Sequence, residues 1–236
     1  MMKNIPISYD DVDLSEQVFK KDVPKLKGKG TRLQSPIVKT VDNIKLHAEL
    51  IHNGRKVELT IEVAYINDQS FLHSVDRSIK LKLLLALGTR KKGQNYDSDL
   101  LYAGIDDVLR HYNKADIYVE RIHADNEFRT LTKQLVDKWD VAMNFSLPGA
   151  HVPDIERANR TLQERFRVNL YRLPFKLIPR TMIKYLALRV TRHGNYFPAQ
   201  TGISRHYSPH TIVSGKQVDF KKEFNHSFGD YVQAPS

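Results

Sequence analysis

Alternation of apolar and polar residues is the strongest pattern in the first half of the chain. Within residues 56–66, Val57, Leu59 and Ile61 lie on one side, and charged or small side chains fall between them. A period of two predicts a strand. The predicted strands are residues 56–66, preceded by a similar alternation at 45–52, and then 70–75, 79–87, 117–122 and 141–145. Tight turns between the first three strands predict an antiparallel meander.

Helical spacing of apolar residues dominates the second half. Helices are predicted at residues 101–111, at 128–139, from Asp154 onward and at 181–192. The helix that begins at Asp154 carries one apolar stripe, formed by Ile155, Ala158, Leu162 and Phe166. The resulting order, β-β-β-α-β-α-β-α-α, predicts an α/β fold in which helices flank a mixed five-stranded sheet.

The same pattern divides the chain into three parts. Residues 1–43 form a basic arm and linker, residues 44–193 form the core, and residues 194–236 form a C-terminal extension. The longest apolar run, residues 83–87, is far shorter than the roughly 20 residues that a membrane helix needs. Residues 1–30 contain no apolar segment typical of a secretory signal. We therefore expect an intracellular protein without a membrane partner.

Positive charge is concentrated in one region. The chain has 37 Lys and Arg against 27 Asp and Glu, and residues 151–193 contain ten basic and three acidic residues, a net charge of +7. Such a cluster can be a solvated helical face or a surface that follows phosphate groups. The absence of cysteine excludes disulfides, thiol catalysis and zinc sites that use cysteine.

Three acids occupy positions from which a site could be built. Glu62 lies on the polar side of the first strand, Asp125 follows the strand at 117–122, and Glu156 lies in the first turn of a helix. Converging carboxylates favour Mg²⁺ or Mn²⁺, and two such ions can clamp the oxygens of a phosphoryl displacement. Each acid by itself is more typical of an exposed surface.

Other residues compete with these three. Asp68 in the first turn and Asp76 at the end of the second strand could supply the first carboxylate instead of Glu62. Asp106 and Asp107 are predicted to lie on the exposed face of a helix. His123, beside Asp125, is interpreted as structural rather than as a metal ligand.

Several segments resemble copia-type retrotransposon integrases. The run DIERANRTL at residues 154–162 is similar to the family's third-acid helix, and ADNEF at 124–128 is similar to its second-acid motif. NYFP at residues 195–198 resembles the Asn-x-x-Pro stretch of the family. Shorter similarities follow at residues 208–209, 215–216 and 228–229.

The resemblance implies a ribonuclease H-like core that joins element DNA to target DNA with an Asp-Asp-Glu triad. It makes Asp125 the second acid and Glu156 the third, and Glu62 stands where the family has an aspartate. If the protein is active, the implied cofactors are two Mg²⁺ or Mn²⁺ ions held by these three acids, and the implied partner is DNA. The residues expected to contact nucleic acid are Arg157, Asn159, Arg160 and Arg167. A nuclear location follows if the protein is functional, and homo-oligomers are compatible with it.

Three departures from the family leave a second function open. Glu62 is one methylene longer than aspartate, only 30 residues separate Asp125 from Glu156, and the lack of cysteine removes the family's zinc module, so that no zinc is expected. Metal-dependent DNA strand transfer, the activity of a polynucleotidyl transferase, is the leading hypothesis. The alternative is a catalytically inactive remnant that binds nucleic acid. An unrelated ribonuclease H-like nuclease is a third interpretation.

Overall fold

The computed structural model describes residues 55–89, 96–146 and 153–230, together with residues 11, 14, 15, 17 and 18. The alternation at residues 45–52 and nearly all of the predicted arm lie outside this part of the chain. Among the helices that the structure describes, none is long and apolar enough to cross a membrane.

In the part of the chain that the structure describes, five strands form one mixed sheet. They are β1 (Arg55–Ile66), β2 (Gln69–Asp76), β3 (Lys82–Thr89), β4 (Ile117–Ala124) and β5 (Ala142–Phe145), in the spatial order β3-β2-β1-β4-β5. The first three are antiparallel, as predicted, whereas β4 runs parallel to β1 and β5 runs parallel to β4. The predicted α/β architecture, in which helices flank a mixed five-stranded sheet, is confirmed.

Within the described ranges, six α-helices follow the first three strands. They are α1 (Ser98–Asn113), α2 (Thr132–Trp139), α3 (Pro153–Arg172), α4 (Arg180–Gly194), α5 (Pro209–Ser214) and α6 (Phe220–Glu223). The helix predicted at residues 128–139 is interrupted, because Asn126–Leu131 forms a 3-10 helix before α2 begins. The helix from Asp154 and the helix at 181–192 are both present, with slightly wider bounds.

Apolar side chains cover the sheet on both faces. On one face, Val57, Leu59 and Ile61 of β1 form the main core with residues of α1, including Leu101 and Ile105. On the other face, α3 and α4 pack over β2 and β3 in a second core. The predicted stripe of α3 is buried at all four positions, Ile155, Ala158, Leu162 and Phe166. The basic helix is therefore fixed against the sheet along one side only.

β3 begins three residues later than the pattern predicted. The side chain of Asp76 accepts hydrogen bonds of 2.7 Å from the backbone N–H groups of both Ser78 and Ile79. These bonds hold the chain in a turn, and Lys80 adopts a positive φ of 64° within it. Ile79 is buried in this turn rather than in the strand, so β3 starts at Lys82.

Asp106 is not exposed, and the prediction that it lies on an exposed helical face is wrong. Its side chain accepts a hydrogen bond of 2.8 Å from Trp139 Nε1 and forms ion pairs of 2.7 Å with Arg110 and Lys138. Burial opposes its ionisation, but the bonds from Lys138 and Trp139 outweigh this effect and the pKa of Asp106 is lowered. Asp107 is exposed as predicted. The difference arises because α2 docks on α1 at Asp106.

Residues after Gly194 pack on the sheet. The side-chain amide of Asn195 accepts from Lys82 N–H at 3.0 Å and donates to Lys82 C=O at 2.7 Å, so it extends the edge of β3. Ile203 N–H bonds to Ser78 C=O, and Ile212 belongs to the main core. The division into three parts remains a prediction, but the described part of the extension shares the core of residues 55–194.

Candidate functional site

Glu62 and Asp125 each follow the last paired residue of two neighbouring parallel strands. Ile61 pairs with Ala124 at the end of the ladder between β1 and β4, so Glu62 of β1 and Asp125, just past β4, come next on either side. Thr60 pairs with His123 one step earlier, and side chains two residues apart on a strand share a face. Parallel neighbouring strands lie about 4.8 Å apart. The register therefore brings two of the three predicted acids to one edge.

Asp125 follows β4 and directly precedes the 3-10 helix. Its backbone is extended, with φ −75° and ψ 165°, and its C=O accepts from Phe128 N–H at 3.1 Å. Its half-buried carboxylate makes no capping hydrogen bond to the helix that follows. The carboxylate is therefore available for another partner at this edge.

The carboxylate of Glu62 is held by α3. Asn159 donates a hydrogen bond of 2.6 Å from Nδ2 to Glu62 Oε2, and Asn159 Oδ1 lies 2.5 Å from His73 Nδ1. Because an amide oxygen only accepts, Nδ1 of His73 carries the proton. Burial lowers the pKa of His73 to about 4, so the ring is neutral at neutral pH. Glu62, Asn159 and His73 thus form one hydrogen-bonded chain.

Glu156 lies one turn of α3 before Asn159 and is exposed. At about 100° per residue, Glu156, Arg160 and Arg167 fall within roughly 40° of one another on one flank of the helix. Arg157 lies about 100° away from Glu156, on the outer surface. Both Arg157 and Arg160 are exposed, and Arg167 is half-buried, with no hydrogen bond at Nε among the described residues. The structure thus groups two of the three predicted arginines with the third acid.

The three acids do not form a metal cluster as their side chains lie. Among residues 55–89, 96–146 and 153–230, no group of three or more His, Asp or Glu side chains could hold a metal ion. The oxygen donors suit Mg²⁺ or Mn²⁺, and the backbone positions of Glu62 and Asp125 suit a shared site. To form a metal site, the side chains of the acids would have to rotate. For Glu62 this rotation would break the hydrogen bond from Asn159.

A charged cluster at Glu58 was missed by sequence reasoning. The carboxylate of Glu58 contacts Arg77, Arg121 and His123, each at 3.0 Å. The hydrogen bond from His123 and the charges of both arginines outweigh burial and lower the pKa of Glu58. Arg77 also reaches Asp154 in the first turn of α3, at 3.3 Å. The cluster therefore ties the start of α3 to the sheet, and His123 has the structural role expected of it.

His73 was also missed, although the sequence contains a signal for it. A two-residue turn at Asn67 and Asp68 fixes the register of the β1–β2 hairpin, and this register pairs Glu62 with His73. Both turn residues have positive φ, 46° and 60°, as such hairpin turns require.

The two alternative first acids lie elsewhere. Asp68 is exposed in the hairpin turn, and Asp76 pairs with Leu59, three residues before Glu62 on β1. Asp76 is fully buried and caps the turn into β3. Neither residue is level with Asp125.

No protein-family model and no curated protein matches this chain. Among solved structures, the catalytic core domain of BIV integrase is similar, with a TM-score of 0.45 and 14% sequence identity over 67% of this chain and 93% of that chain. The likeness is one of overall fold.

Proposed function

We propose that this protein is a retrotransposon-derived, integrase-like protein that binds DNA along α3 and catalyses metal-dependent strand transfer with Glu62, Asp125 and Glu156. The observation that carries the proposal is the register that sets Glu62 level with Asp125 beside a basic helix. Asn159 connects that helix to Glu62, and Glu156 precedes Asn159 by one turn. Glu156, Arg160 and Arg167 thus lie on one flank of α3, and Asn159 links this helix to Glu62.

DNA binding in this proposal depends on the flank of α3 that faces solvent. Arg160 and Arg167 would contact phosphate groups of the DNA on the side of Glu156. Arg157 would contact a DNA strand from the outer surface of the helix. Contacts to phosphate fix the position of DNA but do not read its sequence. The scissile phosphodiester would then be held beside the carboxylates.

The carboxylates would hold Mg²⁺ or Mn²⁺, which would activate the attacking water or 3′-hydroxyl and stabilise the leaving oxygen. Asn159 would orient Glu62 through Oε2, and His73 would orient Asn159 in turn. Glu62 reaches one methylene further than the aspartate of the family. A misplacement of about 1 Å can cost on the order of a hundredfold in rate, so low activity is expected.

A second candidate is a nucleic-acid-binding remnant without catalysis. It is favoured by the bond between Asn159 and Glu62 and by the lack of a three-carboxylate group among the described residues. In this case α3 would still bind DNA, and Glu62 would serve to position the helix.

One assay separates the two candidates. The full chain is incubated with Mn²⁺ and a labelled duplex with a recessed 3′ end, and strand-transfer product is measured beside duplex binding by fluorescence anisotropy. Catalysis predicts product that Asp125→Asn abolishes and that Asp107→Asn, at an exposed acid of α1, leaves unchanged. Duplex binding with no product from the wild type or from Glu62→Asp would overturn the catalytic proposal and leave the remnant. Absence of duplex binding would overturn both.

A further inference from the structure

A cavity of about 170 Å³ opens between α3 and α4, away from the acids. Its polar lining includes Arg165 and Asn169 from α3 and Arg189 and His193 from α4. Arg165 lies nine residues after Glu156, which places it about 180° around the helix from that acid. The cavity is thus separate from the edge that carries Asp125.

A second, smaller space of about 10 Å³, near the size of one water molecule, shares Arg165, Val190 and Gly194 with the cavity. This inner space is also lined by Lys82 of β3 and by His73. The ring of His73 is fully buried, and its Nε2 has no hydrogen-bond partner among the described residues. Since Nδ1 donates to Asn159, Nε2 is a buried acceptor that a water donating from the inner space would satisfy.

The cations at the cavity are not balanced by carboxylates of the described chain. Among the residues that the structure describes, neither Lys82 nor Arg165 has an ion-pair partner, and Arg189 donates to the neutral C=O of His226. Burial lowers the pKa of Lys82 to about 8, with Arg165 and Lys80 adding to the effect. Positive charges therefore repel one another at this position, and an anion would relieve the repulsion.

His193 shows the same excess of positive charge. Its pKa is lowered to about 4, first by burial and then by Arg189, although Glu223 acts in the opposite direction. That carboxylate is already bound by Arg192 at 2.7 Å and by the hydroxyl of Tyr196 at 2.8 Å. Glu223 is thus bound to residues outside the cavity lining and does not neutralise the cations of the cavity.

Gly194 makes room for the guanidinium group. A Cβ atom at this position would stand 2.8 Å from Arg165 Nη1, closer than real Cβ contacts allow. The glycine at the end of α4 therefore leaves room for the end of the Arg165 side chain.

We propose that this cavity binds a phosphate group through Arg165 and Arg189, with Lys82 behind them. The planar guanidinium matches phosphate oxygens. Asn169 lines the same opening, and its Nδ2 donates one N–H to Arg165 C=O at 2.8 Å, which leaves the second N–H for a ligand. The group could belong to a nucleic-acid strand or to a small phosphate compound, since both present the same oxygens. The site does not depend on the carboxylates or on strand transfer.

Inorganic phosphate is the probe for the first test. Phosphate binding to the full chain is measured by calorimetry and by thermal unfolding, at constant ionic strength with chloride as reference. Arg165→Gln should weaken phosphate binding about tenfold, because it removes a charge-assisted contact. Arg180→Gln is the matched control, since Arg180 is exposed at the opposite end of α4. Equal phosphate effects on wild type and Arg165→Gln, or no effect on wild type, would overturn the proposal.

A second variant keeps the test valid if Arg165→Gln does not fold. Arg189→Gln removes the second guanidinium of the cavity, so it should also weaken phosphate binding, and unchanged affinity would contradict the site. Duplex DNA then identifies the source of the phosphate. Parallel losses of duplex and phosphate affinity in Arg165→Gln indicate a nucleic-acid strand, whereas a loss of phosphate affinity alone indicates a small phosphate compound.

Discussion

Asn159 Nδ2 donates a hydrogen bond of 2.6 Å to Glu62 Oε2, and this bond joins the basic helix α3 to the central strand of the sheet. The two residues are 97 positions apart in the chain. The same amide accepts from the buried ring of His73, so one asparagine satisfies polar atoms on two strands. Asn159 therefore fixes both the position of α3 and the orientation of the Glu62 side chain.

Replacement of Asn159 should cost stability. In Asn159→Ala the protonated Nδ1 of His73 loses its acceptor inside the core, and a buried unsatisfied donor costs about 1–3 kcal/mol. Urea unfolding measures the change in the free energy of unfolding. Gln163→Ala, at an exposed position of the same helix, should alter it by less than about 0.5 kcal/mol. Equal effects of the two variants would show that the hydrogen bonds of Asn159 do not contribute to the free energy of unfolding.

Binding of DNA along α3 should depend on salt. Each phosphate contact that is removed lowers the slope of log affinity against log salt concentration by about one. We expect this reduction for Arg160→Gln in anisotropy titrations from low to moderate salt. Lys133→Gln, at an exposed position of α2 on the other face of the sheet, should leave the slope unchanged. If both variants behave as the wild type does, DNA does not bind along this flank.

The neighbouring acids of α1 should differ sharply in effect. Asp106→Ala removes the acceptor of Trp139 and the partner of Arg110 and Lys138, and we expect a loss of about 1–2 kcal/mol. It should also shift the emission of Trp139, the only tryptophan. Asp107→Ala changes an exposed side chain, so it should alter neither the stability of the protein nor the emission of Trp139. A stable Asp106→Ala with unshifted emission would contradict the docking of α2 at Asp106.

Asp76 should make the protein less stable as pH rises. Burial raises the pKa of Asp76 to about 6, so the folded state holds this proton more tightly than the unfolded chain does. The resulting stability is present below about pH 4 and is lost as pH rises to about 6. Asp76→Asn keeps the oxygen that caps Ser78 and Ile79 but cannot ionise.

The test compares the free energy of unfolding of Asp76→Asn with that of the wild type at pH 4.5 and pH 7. The free energy of unfolding of Asp76→Asn, relative to that of the wild type, should increase by on the order of 2 kcal/mol from pH 4.5 to pH 7. Lowered pKa values at His73 and His193 act in the opposite direction over this range, so only the difference between variant and wild type is informative. A difference that does not change with pH would contradict the assignment.

Much of the fold could be predicted because its signals are local. The period of two in β1, the apolar stripe of α3 and the hairpin turn at Asn67 and Asp68 each depend on residues close in sequence. The turn even specifies the pairing of Glu62 with His73. By contrast, the late start of β3 depends on a side-chain cap by Asp76, which no hydrophobic pattern reveals.

The sequence alone determined the strands, the main helices, the net charge of +10 and the candidate acids, because composition and periodicity are properties of neighbouring residues. Tertiary structure decided which polar groups meet. It brought Glu62 level with Asp125 and bonded Glu62 to Asn159, it buried Asp106 beneath α2, and it gathered Arg165, Arg189 and Lys82 around one cavity. These contacts join distant segments and arise from sheet register and helix docking, since both are set by burial of the shared core.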